Sequence, residues 1–141
     1  YERFMSVNAN GALLCARACV PQMKTRGGGA IVNQSSTAAW MSAGFYGLAK
    51  LAINGLTGCL AKELGQFKIR VNAIAPGPTD TGALHSVVPD AFIQPMVAQL
   101  ALPRIGTPAD HDPTLLFLLS DAASWITGQV VNVDGGQIMR P

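Results

Sequence analysis

Ser35-Ser36-Thr37-Ala38-Ala39-Trp40-Met41-Ser42-Ala43-Gly44-Phe45-Tyr46-Gly47-Leu48-Ala49-Lys50 is the stretch on which the reading of this chain turns. It follows a strand-like run, Ala30-Ile31-Val32-Asn33-Gln34, and enters a helix-like run that continues to about Gly65. Residues four apart in a helix share a face, so Tyr46 and Lys50 present a phenol and an ammonium to one bound molecule. Hydroxyls delivered by a strand tip beside that face suit proton transfer.

Outward from this stretch, helices alternate with short apolar strands. Phe4, Val7, Leu14, Ala18 and Met23 recur near the helical period and predict a helix over 3–24, with Pro21 bending its last turn. Lys24-Thr25-Arg26-Gly27-Gly28-Gly29 reads as a basic, glycine-rich helix stop. After the helix over 42–66, Ile69 to Ala75 is a second buried strand ending at Pro76-Gly77-Pro78. Residues 79–103, which hold Pro89, Pro95 and Pro103, predict a mobile loop with one short helix near 90–100. Thr107-Pro108-Ala109-Asp110 has the residues of a helix start, with a second start at Asp112-Pro113 running to Leu119. Gly128 to Asp134 is a third strand, closed by Gly135-Gly136. This order predicts an α/β fold with a parallel sheet and helices on both faces.

The bulk numbers agree with one well-buried domain: 49% hydrophobic residues and 13% charged over 141 residues. The net charge of +2 is not gathered in blocks, so neither nucleic acid nor an anionic membrane is expected as a partner. No apolar run reaches the ~18 residues of a membrane span, and no secretory signal is expected. Cys15, Cys19 and Cys59 lack a C-x-x-C pair and predict buried, reduced thiols in a cytoplasmic protein. His85 and His111 have no ligand-spaced partner, so no metal site is expected. The opening Tyr1-Glu2-Arg3-Phe4, without Met and in the middle of an element, predicts a piece of a longer protein.

Taken together, the motifs resemble the C-terminal half of a classical short-chain dehydrogenase/reductase, a family that includes 3-oxoacyl reductases and cyclic-alcohol dehydrogenases. Phe4-Met5-Ser6-Val7-Asn8 is similar to the helix carrying that family's active-site Asn, and Ile31 to Ser36 to the strand ending in its catalytic Ser. Tyr46-Gly47-Leu48-Ala49-Lys50 fits its Tyr-x-x-x-Lys, and Arg70 to Thr81 its nicotinamide-contacting strand and loop. Arg104 to Pro108, Phe117 to Asp121 and Thr127 to Gly136 resemble its C-terminal landmarks. The resemblance implies three strands of a Rossmann-like doubly wound parallel sheet, forming a single partial domain over 1–141. The Gly-rich half that holds a dinucleotide's pyrophosphate would be missing from it.

The function implied is hydride transfer between NAD or NADP and a small secondary alcohol or ketone. Asn8, Ser36, Tyr46 and Lys50 would be catalytic: Tyr46 the general acid/base, Ser36 orienting the substrate oxygen, Asn8 supporting a proton relay. Lys50 would stabilise the phenolate and hold the ribose. An unperturbed phenol has a pKa of about 10, so work near neutrality asks for about 4 kcal/mol. One ammonium about 4 Å away, in an effective dielectric near 20, supplies that amount. Tyr46, Lys50, Pro76, Gly77, Thr79 and Thr81 would bind the cofactor, and Trp40 and His85 would line the substrate pocket. Trp125 would pack at the sheet's far end. A homodimer or homotetramer is implied, with the helices over 3–24 and 42–66 as one interface and the C-terminal strand as a second.

This chain departs from the family pattern at several points. Nine residues separate Ser36 from Tyr46, a shortened loop that leaves Ser35 as an alternative to Ser36. Thr79 stands where Ile or Val is usual, and Asp110-His111-Asp112-Pro113 replaces an apolar first turn. An extended epimerase or dehydratase also carries Tyr-x-x-x-Lys but needs a longer segment after it. A dinucleotide-sensing or scaffold protein of the same fold is the non-catalytic alternative.

Overall fold

The computed structural model describes residues 1–140. Three parallel strands, β1 (Gly29–Gln34), β2 (Ile69–Pro76) and β3 (Val130–Val133), form one sheet in that order. Gly29 stands opposite Ile69 and Gln34 opposite Ile74, while Ala73 stands opposite Val130 and Pro76 opposite Val133. Parallel neighbours require long crossovers. The first crossover is α3 (Gly44–Leu64), and the second contains α4 (Gly82–Val87), α5 (Asp90–Val97) and α6 (Asp112–Leu119).

The expected helix over 3–24 is a continuous helical run made of α1 (Glu2–Met5), a π-helical turn (Ser6–Asn10) and α2 (Gly11–Thr25). Its backbone stays right-handed through both junctions, at Ser6 and at Gly11. The run ends where the Gly27 and Gly28 amides donate to the Lys24 and Met23 carbonyls. The basic glycine-rich segment is therefore a helix stop, and Lys24 Nζ lies 3.6 Å from the centre of the Phe67 ring.

Ala16 of α2 and Leu60, Ala61 and Leu64 of α3 bury against Ile69 and Val71 of β2. Val20, Met23, Ile31, Leu56 and Phe67 pack around them. Burial of each large aliphatic side chain contributes about 1.5–3 kcal/mol, so this seam holds the helices to the sheet. Strand side chains alternate faces. Arg70 accordingly points away from the seam, where its guanidinium donates to the Leu118 and Ser120 carbonyls at the end of α6. Helices lie on both faces, as expected. Buried Asn72 donates to the Ile126 carbonyl and accepts from the Gln129 amide, tying β2 to the approach to β3.

Several expectations need correction. The segment 79–103 holds two short helices, α4 and α5, because the Thr81 hydroxyl accepts from the Leu84 amide and starts a helix before Pro89 starts the next. Of the two helix starts read from the sequence, Thr107–Asp110 makes only a 3-10 turn, Pro108–Asp110, while the second holds: α6 runs Asp112–Leu119 with Pro113 in its first turn, where a missing N–H costs nothing. Trp125 is 97% exposed and packs on nothing at the sheet's end. Cys15, Cys19 and Cys59 are free but exposed, because they fall on the faces of α2 and α3 turned away from the sheet.

β1 is an edge of this sheet, and no strand lies along its outer rim among the described residues. Unpaired N–H and C=O groups on such a rim template pairing with another chain. The 141-residue chain by itself is therefore expected to self-associate at micromolar concentration in sedimentation velocity. A sharp monomer boundary with cooperative unfolding would contradict this.

Candidate active site

The site is built at the C-terminal tip of β1. Ser35 is 1% exposed, and its hydroxyl faces two acceptors on α3, Asn54 Oδ1 at 2.5 Å and the Lys50 carbonyl at 3.2 Å. Its proton is thus used in fastening β1 to α3. Ser36, half-buried, caps the 3-10 turn Thr37–Trp40 by accepting from the Ala38 amide at 3.2 Å. A hydroxyl that accepts in this way keeps its proton to donate elsewhere. Of the two serines, Ser36 is the one with a proton to offer.

Lys50 is 7% exposed, and its Nζ donates to the Gln34 carbonyl, the last of β1, at 3.1 Å. None of the ion pairs among the described residues involves Lys50. Burial disfavours the charged form and lowers its pKa. One turn earlier, Tyr46 is 38% exposed, with its ring centre 5.5 Å from Lys50 Nζ and edge-on to Phe4 at 6.2 Å. Phe4 belongs to the same helical run as Asn8, whose Nδ2 donates to the Phe4 carbonyl at 2.9 Å. Asn8 sits inside the π-helical turn, a local irregularity frequent at functional sites.

Gly47 sets how closely α3 approaches the serine-bearing turn. A Cβ there would lie 2.6 Å from the Ala38 carbonyl oxygen, nearer than real Cβ contacts come. The short Ser36–Tyr46 connection is accommodated by the 3-10 turn and by Ser42 in a left-handed conformation at φ 52°. A glycine directly after the helical tyrosine, where alanine would be the better helix former, was the sequence signal for this close contact.

The loop leaving β2 comes next to this tip. Gly77 passes so close to the Asp134 turn that a Cβ would lie 2.7 Å from Asp134 Cα. The Thr79 hydroxyl donates to the Gly77 carbonyl at 3.0 Å and lies 3.0 Å from His111 Nε2. The Thr81 hydroxyl donates to the Thr79 carbonyl at 3.3 Å. Thr37, next to Ser36, has Gln137 Oε1 at 2.7 Å and the Pro76 carbonyl at 3.2 Å as acceptors for its one proton, so the β1 tip lies against the end of β2. Trp40 carries the Arg140 guanidinium over its ring at 4.1 Å. His85 is exposed and bridges Asp80 at 2.8 Å and Asp90 at 3.3 Å, and these carboxylates raise its pKa. Asn54, Gln137 and Arg140 entered no expectation from sequence, because their roles depend on which distant elements meet.

The family profile described as enoyl-(acyl carrier protein) reductase matches residues 1–137. The chain belongs to the short-chain dehydrogenase/reductase family. It is 61% identical over 140 residues to an uncharacterized oxidoreductase of Mycobacterium tuberculosis, covering 99% of this chain and 56% of that protein. It is 41% identical over 138 residues to a 3alpha-hydroxysteroid dehydrogenase of Mediterraneibacter gnavus, covering 96% and 55%. A solved structure of a 7 alpha-hydroxysteroid dehydrogenase, complexed with NADH and 7-oxo glycochenodeoxycholic acid, superposes with a TM-score of 0.87 at 36% identity. That match covers 94% of this chain and 53% of the other. The chain thus spans about half the length of the curated relatives it matches.

Two outcomes are expected for the whole polypeptide. Gly47→Ala would ordinarily stabilise a helix by up to about 1 kcal/mol. Here it should lower Tm and reduce kcat roughly tenfold to a hundredfold by pushing α3 off the Ser36 turn, and a higher Tm with unchanged kcat would refute the packing argument. For Lys50, the folded chain binds the proton less tightly than the unfolded chain. The charged form therefore costs stability below the lowered pKa, and the cost is relieved as pH rises through that value toward 10.5. Lys50→Met should flatten this alkaline gain in denaturation curves recorded as pH rises toward 10.5.

Proposed function

We propose that this chain is the catalytic part of an NAD- or NADP-dependent oxidoreductase that interconverts a secondary alcohol and a ketone. The observation that carries the reading is Lys50: an ammonium buried beside the Tyr46 ring, without a carboxylate partner among the described residues, and spending one of its three donors on the Gln34 carbonyl. A buried charge of this kind costs stability and is better accounted for by work on a ligand than by packing. Its two remaining donors fit the hydroxyls of a nicotinamide ribose.

The hydride is the chemistry that a bound nicotinamide supplies or accepts. The rest falls to side chains of this chain. Tyr46 gives its hydroxyl proton to the carbonyl oxygen in reduction and takes it back in oxidation. Ser36 donates its free proton to the same oxygen, favouring the developing alkoxide. Lys50 favours the phenolate by its charge, and Asn8, on the helical run against Tyr46, supports the exit of the proton to solvent. Pro76, Gly77, Thr79 and Thr81 stand at the carboxyl end of β2, where ligands sit in open α/β sheets, and would hold the nicotinamide carboxamide.

The pyrophosphate anchor of the cofactor is proposed to lie in the remainder of a longer polypeptide. Trp40 and His85 are proposed to border the substrate pocket, with selectivity residing in residues 79–103. Phe4, Val7, Leu14, Phe45, Leu48 and Leu51 remain exposed on the helical run and α3, a face suited to a homodimer or homotetramer. Among the described residues no helix is long and apolar enough to cross a membrane. The free thiols fit a reducing, cytoplasmic setting.

The test is the absorbance change at 340 nm in the whole polypeptide with NAD and NADP and a panel of cyclic, aliphatic and steroid secondary alcohols. Turnover is expected, with Tyr46→Phe reducing kcat by roughly 10³-fold or more and Ser36→Ala by roughly 10²-fold. Turnover that survives Tyr46→Phe would sink the mechanism, and dinucleotide binding without any turnover would favour a sensing role.

A further inference from the structure

We infer that His111 is a positioning residue for the loop after β2 and acts through Thr79; its link to the cofactor rests on the function proposed above. Thr79 and His111 lie on separate segments, one on the loop after β2 and the other at the start of α6. The fold brings them together across 32 residues, with His111 Nε2 3.0 Å from Thr79 Oγ1.

The proton count gives the contact a direction. Thr79 has a single hydroxyl proton and directs it to the Gly77 carbonyl at 3.0 Å. With its proton there, its oxygen is left to accept, and this assigns to His111 the tautomer with its hydrogen on Nε2. The other ring nitrogen, Nδ1, is buried without a protein partner. The imidazole is thus committed on one side only, toward Thr79. From Thr79 the chain of bonds continues, because the Thr81 hydroxyl donates to the Thr79 carbonyl and accepts from the Leu84 amide at the start of α4.

His111 stands on a stiff support. Arg104 donates to both carboxylate oxygens of Asp110, at 2.8 and 2.6 Å, and the Thr107 amide and hydroxyl bond the same carboxylate. The guanidinium and these donors hold the Asp110 carboxyl far below the usual carboxylate range. Between support and loop, the Asp80 amide donates to the Gly106 carbonyl at 2.8 Å and the Gly106 amide to the Pro78 carbonyl at 3.0 Å. The segment 104–111 therefore braces the loop 77–81 by two backbone bonds, and His111 adds the one side-chain bond that fixes the Thr79 rotamer and, with it, the aim of the Gly77 carbonyl. An apolar pair at these positions would fill space without setting a rotamer through a directed bond. His111 and Thr79 also wall a cavity of about 190 Å³, so truncation to alanine would confuse lost packing with the lost bond.

The test uses His111→Leu and His111→Gln in the whole polypeptide, since glutamine can place its amide N–H near the position of Nε2. The first readout is amide hydrogen exchange of residues 77–82 without cofactor, and the second is the Kd for NAD(P)H by fluorescence. His111→Leu should speed exchange in this loop and weaken NAD(P)H roughly three- to tenfold, the worth of one neutral hydrogen bond, while β2 exchange is unchanged. His111→Gln should restore both. Unchanged loop exchange in a folded His111→Leu variant, or a folded His111→Gln variant that behaves like leucine, would overturn the proposal. If the loop loosens as expected while NAD(P)H affinity does not change, the brace stands and the assignment of this loop to the nicotinamide falls.

Discussion

An ammonium held against the last carbonyl of β1 is the constraint on which the site depends. Lys50 Nζ is buried, bonded to the Gln34 carbonyl and beside the Tyr46 ring. That bond joins α3 to the strand tip beside the Asn33–Thr57 and Ser35–Asn54 bonds, and Tyr46 lies one turn earlier on the same helix. Gly47 sets the distance between helix and serine-bearing turn. Ser35 stiffens the junction from below, with its hydroxyl committed to α3. Rigid elements hold a catalytic constellation more accurately than loops do, and here a strand end and a helix carry three of the four residues proposed to be catalytic.

The second half of the site follows a different logic. The chain after β2 is irregular, and its shape comes from outside it: Thr37 bonds the Pro76 carbonyl or Gln137, Asp134 leaves no room for a side chain at Gly77, and the 104–111 segment bonds Pro78, Thr79 and Asp80. A loop bonded on several sides can stay ordered without regular structure of its own. The Thr37 contacts place the tip of β1 against the start of this loop, so the strand tip that carries Ser36 adjoins the proposed cofactor-binding residues.

Much of this was legible in the sequence because it rests on local rules. The periodicity of 3–24 and 42–66 and the apolar runs near 30, 70 and 130 placed the main helices and all three strands. The Tyr46–Lys50 spacing placed a phenol and an ammonium on one helix face. Local rules also misled in specific ways. Proline content made 79–103 read as a loop with one short helix near 90–100, and α5 is that helix, but the Thr81 hydroxyl begins a further one, α4. Trp125 and the cysteines were assigned to the interior on residue type alone, whereas exposure depends on which face of an element meets the sheet.

The sequence by itself determined the family and the parallel α/β order and offered the residues proposed for the chemistry, since each is written in short-range spacing. Only the tertiary structure showed how the two serines differ in their bonding: the Ser35 hydroxyl is fastened to α3, whereas Ser36 caps the following turn by accepting an amide. Only the tertiary structure joined Thr79 to His111 and gave the Asp110–Pro113 segment a place in the site. Hydrogen bonds depend on atoms a few ångströms apart, and residues 32 positions apart reach that separation only when the chain has folded.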